Sequence, residues 1–283
     1  MKITFKAPAK INLYLEITGK RPDGYHNLES IMQTVSLYDE ITVEDAPGGI
    51  NLECDNKNLP SNSSNIVYKA AEAVRNRFNI QKGVKITLKK EIPTGAGLGG
   101  GSSDAAAAIK ALVKLWNIKT QKTELEQIAA KLGADVAFFL TGGTALCEGT
   151  GEIVTPLLSI RKMPVVLANP GFGVLTASIY KKVTFPLTNP RKIHTIKKLI
   201  CDGSFNENYA LKYCFNRLEE FVFPDYSEIA KIKSVMADLG CASLMSGSGA
   251  TVFGIFGSES QSETIQSKLR EYQWNVWTVF PVD

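Results

Sequence analysis

The stretch from Pro93 to Asp104, Pro-Thr-Gly-Ala-Gly-Leu-Gly-Gly-Gly-Ser-Ser-Asp, constrains this chain more than any other, because five glycines fall between Gly95 and Gly101. Before it, Val84, Ile86 and Leu88 alternate with Lys85, Thr87 and Lys89, the pattern of a half-buried strand. After it, Ala105, Ala108, Ile109, Leu112, Val113 and Trp116 recur at helical spacing. A strand therefore delivers the chain to a loop nearly free of side chains, and a helix is predicted to open at Ser102 or Ser103. Backbone N–H groups unobstructed by Cβ atoms, next to the unpaired N–H groups and dipole of a first helical turn, suit an anion, above all a phosphate. The competing reading is a plain surface turn, since Gly and Ser cluster in loops.

The neighbours of the loop exclude several phosphate sites. Gly95-x-Gly97-x-x-Gly100 matches the dinucleotide fingerprint formally, but that fingerprint requires a second strand after the helix. Here Trp116 is followed by Asn117 to Thr123 and then by another helical pattern. No Gly-Lys-Ser/Thr closes the loop as in a Walker A site, and neither His-Arg-Asp nor Asp-Phe-Gly occurs.

The chain, at 283 residues with 44% apolar content, suits one large domain or two ordinary ones. A formal charge of +4 suits an anionic small-molecule substrate and is too diffuse for a nucleic-acid partner. The five cysteines show no Cys-x-x-Cys pairing and read as reduced, mostly buried thiols rather than a metal site or disulfide frame. No run is long and apolar enough for a membrane span, and none resembles a signal peptide, so the expected location is cytoplasmic.

Along the chain, Ile3 to Ile17 alternates, placing Ile11, Leu13, Leu15 and Ile17 on one face and Lys10, Asn12, Tyr14 and Glu16 on the other. Arg21-Pro-Asp-Gly24 is a turn, followed at once by Tyr25-His26. Strands are predicted at 28–37, 40–45 and 50–54. A helix is expected through Arg77, capped by Ser63 or Ser64, with Ile66, Ala70, Ala73 and Val74 buried. The next runs from Glu124 to Leu132, from a Thr123-x-x-Glu126 capping box to Gly133. Asp135 heads an apolar run and by local pattern reads as the N-cap of a short helix. A strand around Thr144–Cys147 follows, and a second unit is expected beyond a boundary near 158. In it, helices are expected near 176–183, 189–201, 206–221, 227–239 and 258–271, with strands at 164–168, 242–246, 251–256 and 275–280. The whole is α+β.

Three separated segments carry a resemblance: Ala7-Pro-Ala-Lys10-Ile-Asn12-Leu, Pro93 to Ser103, and Met245-Ser-Gly-Ser-Gly-Ala-Thr-Val-Phe-Gly254. Together they resemble the GHMP kinase superfamily of small-molecule kinases. Thr18-Gly-Lys-Arg-Pro-Asp-Gly-Tyr25-His26 and Leu132-Gly-Ala-Asp135-Val are similar to members whose alcohol substrate is linked to cytidine diphosphate. The resemblance implies an N-terminal domain like the second domain of ribosomal protein S5, over residues 1–157, and an α+β C-terminal domain over 158–283. It places the active site between them, with ATP as co-substrate and Mg²⁺ as the accompanying ion.

It also implies roles. Lys10 and Asp135 match the catalytic pair. Pro93, Thr94, Gly95, Ala96, Gly97, Leu98, Gly99, Gly100, Gly101, Ser102 and Ser103 match the ATP-phosphate loop, with Asn65 and Lys90 near the nucleotide. Tyr25 and His26 match cytidine contacts, Tyr180 the aromatic across the ring, and Asn12 and Thr176 pocket positions. Gly247, Ser248 and Gly249 match the third motif, which supports the loop. Ala137 replaces a proline often found there, Ala96 a glycine, and Tyr180 a phenylalanine. Taken without the motif, Lys10 reads as a surface lysine on an edge strand, and Tyr25 and Tyr180 as core aromatics. Ser102 or Ser103 would either ligate the metal or cap the helix, and Asp104 is expected to point away as a first-turn charge. The alternatives are another kinase of this type, or a nucleotide-binding regulator without catalysis.

Overall fold

The alternating segments at the start of the chain become two long strands, β1 (Lys2–Lys20) and β2 (His26–Ala46). The computed structural model describes residues 1–160, 163–187 and 193–283. The chain divides into two units, one of Met1–Ala9, Leu37–Pro93 and Gly99–Thr141, the other of Lys10–Ser36, Thr94–Leu98 and Gly142–Asp283. Each long strand contributes one half to each unit.

In the first unit, β3 (Ile50–Cys54) runs parallel to β4 (Gly83–Lys89), and β4 pairs antiparallel with β2 from Glu40↔Lys89 to Ala46↔Gly83. The sheet order is β3-β4-β2-β1. Between β3 and β4 lies helix α1 (Ile66–Arg77), and after β4 come α2 (Gly100–Leu115), α3 (Lys122–Leu132) and α4 (Ala134–Thr141). α2 packs against α1 and α4. Ala105 to Ile109, Ala111, Leu112 and Leu115 are all buried, so α2 is apolar nearly all round and forms the core of this unit.

In the second unit, β2 pairs antiparallel with β5 (Thr144–Glu148), which pairs with β6 (Ile153–Pro156). A second sheet has the order β11-β7-β10-β9, all antiparallel. Its strands are β7 (Val165–Asn169), β9 (Ala242–Met245), β10 (Val252–Ile255) and β11 (Asn275–Val279). Between β7 and β9 come α5 (Thr176–Tyr180), α6 (His194–Cys201), α7 (Glu207–Tyr213), β8 (Phe215–Asn216), α8 (Glu219–Val222) and α9 (Ser227–Asp238), and α10 (Ser262–Arg270) precedes β11. β8 lies parallel to β1, with Leu15 opposite Asn216. Leu15, Ile17, Val166, Ile179, Ile229, Ile232 and Met236 share one core.

Several elements differ from expectation. The strands expected at 28–37 and 40–45 are parts of one unbroken strand, in which Asp39 gives its carboxylate to Lys90 and to the N–H groups of Glu91 and Ile92. The cap of α1 is Asn65, not Ser63 or Ser64, and its buried face is Val67, Ala70, Ala71 and Val74. The capping box of α3 is Gln121 with Glu124. The helix expected over 206–221 is broken: Cys214 is extended, and Arg217 N–H donates to Leu15 O (2.8 Å). Of the helix near 189–201, residues 189–192 lie outside the described residues. Cys201 is exposed, whereas Cys147 and Cys241 are buried.

The polar face of β1 is buried as thoroughly as its apolar one. Glu16 takes a bidentate ion pair from Arg217 (2.7 and 2.8 Å), whose third nitrogen reaches Glu220 (2.6 Å). That pairing lets a carboxylate sit at 1% exposure.

Candidate active site

The strand–loop–helix unit forms around Pro93–Asp104, with one shift. Helix α2 opens at Gly100 and its N-cap is Gly99 in the left-handed region (φ 70°), so neither serine caps it. Among the described residues, no side-chain hydrogen bond caps this end of the helix. Ser103 lies in the first turn, buried, and its Oγ has no hydrogen-bond partner among the described residues.

Within the second unit the loop is held by its carbonyls. Gly95 O accepts from Val174 N (2.9 Å), Ala96 O from Thr251 N (3.1 Å), Gly97 O from Ser246 Oγ (2.9 Å) and Leu98 O from Lys10 N (2.9 Å). Ala96 and Leu98 are buried pegs. Gly97 (φ 76°) is fixed by a neighbour rather than by ligand access, since a Cβ there would lie 2.0 Å from Ser246 O.

The Ala7–Leu13 and Met245–Gly254 motifs meet this segment. Lys10, only 4% exposed, donates through Nζ to Asn12 Oδ1 (2.6 Å), and Asn12 Nδ2 donates to Ser30 Oγ (2.9 Å). A Cβ on Gly247 would lie 3.1 Å from Lys10 Nζ and 3.2 Å from Gly97 O. Lys10 is thus a buried cation facing a glycine turn, not a surface lysine. Ser248 Oγ and Thr176 Oγ1 share a hydrogen bond (2.8 Å). Asn216, which no motif pointed to, donates both amide hydrogens, to Met245 O and Gly247 O (each 2.7 Å), and so holds the turn.

At the Arg21–Gly24 turn, Tyr25 stands 67% exposed while His26 is buried at the start of β2. The His26 ring lies 5.6 Å from Tyr180 and is nearly parallel to Phe185 (5.9 Å, 13°). Tyr180 is therefore packed on His26, and Phe185 is an aromatic that sequence reasoning missed. His26 Nε2 is buried without a hydrogen-bond partner among the described residues. Burial, aided by the Lys20 charge, holds the imidazole below its usual pKa and hence neutral at pH 7.

In the first unit, Asp135 sits in the first turn of α4, partly buried, one residue inside the helix rather than at its cap. Asn65 has both ends of its amide engaged: Oδ1 accepts from Val67 N (2.8 Å) and Nδ2 donates to Pro60 O (2.7 Å). Lys90 Nζ is inserted between Asp39 and Asp104 Oδ2 (2.6 Å to the latter) and would lie 3.3 Å from a Cβ on Gly100. Asp104 is therefore not a solvated first-turn charge. Burial, reinforced by the Asp39 charge and offset by Lys90, pushes its carboxyl up to about 8. No group of three or more His, Cys, Asp or Glu able to hold a metal ion occurs among the described residues.

The loop and the glycine turn each fall within a segment that is matched at family level. Residues 65–143 fit the GHMP kinases N terminal domain, and residues 196–273 fit GHMP kinases C terminal. The chain belongs to the GHMP kinase family, and is thus a small-molecule kinase with ATP as co-substrate. It is 40% identical over 284 residues to the 4-diphosphocytidyl-2-C-methyl-D-erythritol kinase of Geobacillus thermodenitrificans (strain NG80-2), covering 99% of this chain and 97% of that protein. To the kinase of the same name from Clostridium botulinum (strain Alaska E43 / Type E3) it is 42% identical over 273 residues, covering 94% and 95%. A crystal structure of 4-(cytidine 5'-diphospho)-2C-methyl-D-erythritol kinase has 32% identity and a TM-score of 0.83, covering 99% of this chain and 100% of that one.

Proposed function

We propose that this chain transfers the γ-phosphoryl group of ATP to the 2-hydroxyl of 4-diphosphocytidyl-2-C-methyl-D-erythritol, in the non-mevalonate route to isoprenoid precursors. The observation that carries the reading is the convergence of three motifs far apart in sequence: Lys10 Nζ donates to Asn12 Oδ1, and a Cβ on Gly247 would lie 3.1 Å from Lys10 Nζ and 3.2 Å from Gly97 O. Nearly full-length identity to kinases of that name supports the choice of substrate. No helix among the described residues is long and apolar enough to cross a membrane, and we place the enzyme in the cytoplasm.

In this reading the oxygen of the 2-hydroxyl forms a bond to the γ-phosphorus, the bond to the β–γ bridging oxygen breaks, and ADP leaves. The proton of the hydroxyl passes to Asp135. Phosphoryl transfer asks mainly for alignment and charge neutralisation. Lys10 stabilises charge on the attacking oxygen and the moving group. Asp135 orients the hydroxyl first and accepts its proton late. The uncapped N–H groups around Gly99, Gly100 and Gly101 receive phosphate oxygens. Mg²⁺ brought with ATP would neutralise phosphate charge, and the orphaned Ser103 Oγ fits a ligand to it. Asn65 shapes the nucleotide side by holding backbone at the start of α1, and Lys90 by joining the carboxylates of Asp39 and Asp104. Tyr25 closes on the cytosine from its exposed turn, opposite the aromatic group of Tyr180 and Phe185, while His26 reads the polar edge of the base. We place the ATP-binding domain at 1–157 and the second domain at 158–283, consistent with family matches that fall on either side of that boundary.

The test is Asp135→Asn. Turnover is expected to fall by about 10²–10⁴-fold, the usual range for general-base catalysis, with ATP affinity retained. Near-wild-type turnover in a folded variant removes the role.

A further inference from the structure

We infer that Asp39 is a positioning residue for the glycine loop, fixing both ends of that loop through its bonds to the Lys90–Ile92 segment and, by way of Lys90, to Asp104 on α2. The inference rests on the reading of the loop as the ATP-phosphate site. Asp39 lies within β2 and is wholly buried. Its Oδ1 accepts from Glu91 N (2.6 Å) and Ile92 N (2.8 Å), the last two residues before Pro93. Its Oδ2 accepts from Lys90 Nζ, which also donates to Asp104 Oδ2 (2.6 Å) in the opening turns of α2. The loop from Pro93 to Gly99 thus leaves and re-enters one ionic cluster.

Packing shows how close the two ends come. A Cβ on Gly100 would lie 3.0 Å from Ile92 Cγ2 and 3.3 Å from Lys90 Nζ. The side chains of Lys90, Asp39 and Asp104 are 6%, 0% and 2% exposed, so water cannot take over if one is lost. Fixing the ends of a loop fixes the directions of its N–H groups before the ligand arrives, which is where preorganised dipoles gain their strength. A carboxylate is needed at 39 because both oxygens must accept. An amide would turn a donor toward either the ammonium or the two N–H groups. Asp104 is different: it need accept only from Lys90, and its Oδ1 has no hydrogen-bond partner among the described residues. With its carboxyl raised to about 8, it holds a proton at neutral pH, so the cluster puts no excess negative charge under a phosphate site.

The experiment compares Asp39→Asn with Asp104→Asn in the full chain, measuring calorimetric binding of ATP·Mg²⁺ and, separately, of 4-diphosphocytidyl-2-C-methyl-D-erythritol. Asp39→Asn is expected to weaken ATP by about 10- to 100-fold, the value of charged hydrogen bonds, and to leave the acceptor's affinity within about threefold. Asp104→Asn, which keeps an acceptor for Lys90, is expected to stay within about threefold for both. ATP affinity in Asp39→Asn within threefold of wild type overturns the inference, as does an equal loss for both ligands. If Asp39→Asn does not fold, Asp39→Glu, which keeps the charge one methylene further out, takes its place with the same two outcomes. A wild-type chain that binds the acceptor but no ATP overturns the phosphate reading of the loop, and this inference with it.

Discussion

Gly97→Ala probes the place where two motifs touch. The new Cβ would lie 2.0 Å from Ser246 O and 2.9 Å from Gly249 O, both backbone atoms, at a residue with φ 76°. Real Cβ contacts stay beyond about 3 Å, so the loop and the 246–249 turn must separate by roughly 1 Å. The left-handed backbone costs about 1–2 kcal/mol for a non-glycine residue, and overpacking adds about 1–3. A destabilisation of about 2–5 kcal/mol follows, which a domain of ordinary stability survives. The chemistry suffers more, because a misplacement of about 1 Å costs on the order of 10²-fold in rate. Gly101→Ala is the matched control. Among the described residues its Cβ would meet only Ile66 Cγ2 at 3.7 Å, an ordinary contact, so stability should rise by about 0.5–1 kcal/mol. A methyl group there still crowds the expected phosphate, and the KM for ATP should rise about tenfold, the effect of one lost charged hydrogen bond. Urea denaturation and ADP-release kinetics measure both quantities. Gly97→Ala with stability within about 0.5 kcal/mol of wild type and full turnover would refute the packing argument. An unchanged KM in Gly101→Ala would refute the cradle.

Two other perturbations follow from buried polar groups. Asn216→Leu strips the donors from Met245 O and Gly247 O and should cost about 2–4 kcal/mol in urea, with turnover reduced through the turn beside Lys10; a loss below about 0.5 would deny the turn its support. Asp104 keeps a proton in the folded state that it gives up when unfolded, so wild-type stability should decline as pH rises from the ordinary carboxyl range through about 8. Asp104→Asn should abolish that decline, on the order of a few kcal/mol over the window, and a wild-type curve that instead climbs with pH contradicts the buried protonated acid.

The loop, the strand before it, the helix after it and the Lys10–Asn12 face were legible because each writes a local period or a dense run of one residue type. The span of α9 was legible for the same reason. What stayed hidden depends on partners remote in sequence. Asp39 falls in the gap between the strands predicted at 28–37 and 40–45 until Lys90 and the Glu91 and Ile92 amides are brought to it. Asp104 looks like a surface charge for the same reason. The helical pattern over 206–221 yields to pairing with β1, where burial of Arg217 against Glu16 outweighs local propensity. Phe185 and Asn216 carry no spacing signal, and only the fold puts them beside His26 and Gly247.

The central claim is tested most directly by supplying ATP·Mg²⁺ with a panel of alcohols, namely 4-diphosphocytidyl-2-C-methyl-D-erythritol, mevalonate, homoserine and a free sugar, and following the product by phosphorus NMR. The account predicts a new phosphomonoester on the 2-hydroxyl of the cytidine-linked substrate, one ADP for each, and none on the others. Turnover of another alcohol instead, or of none while ATP binds, would contradict it.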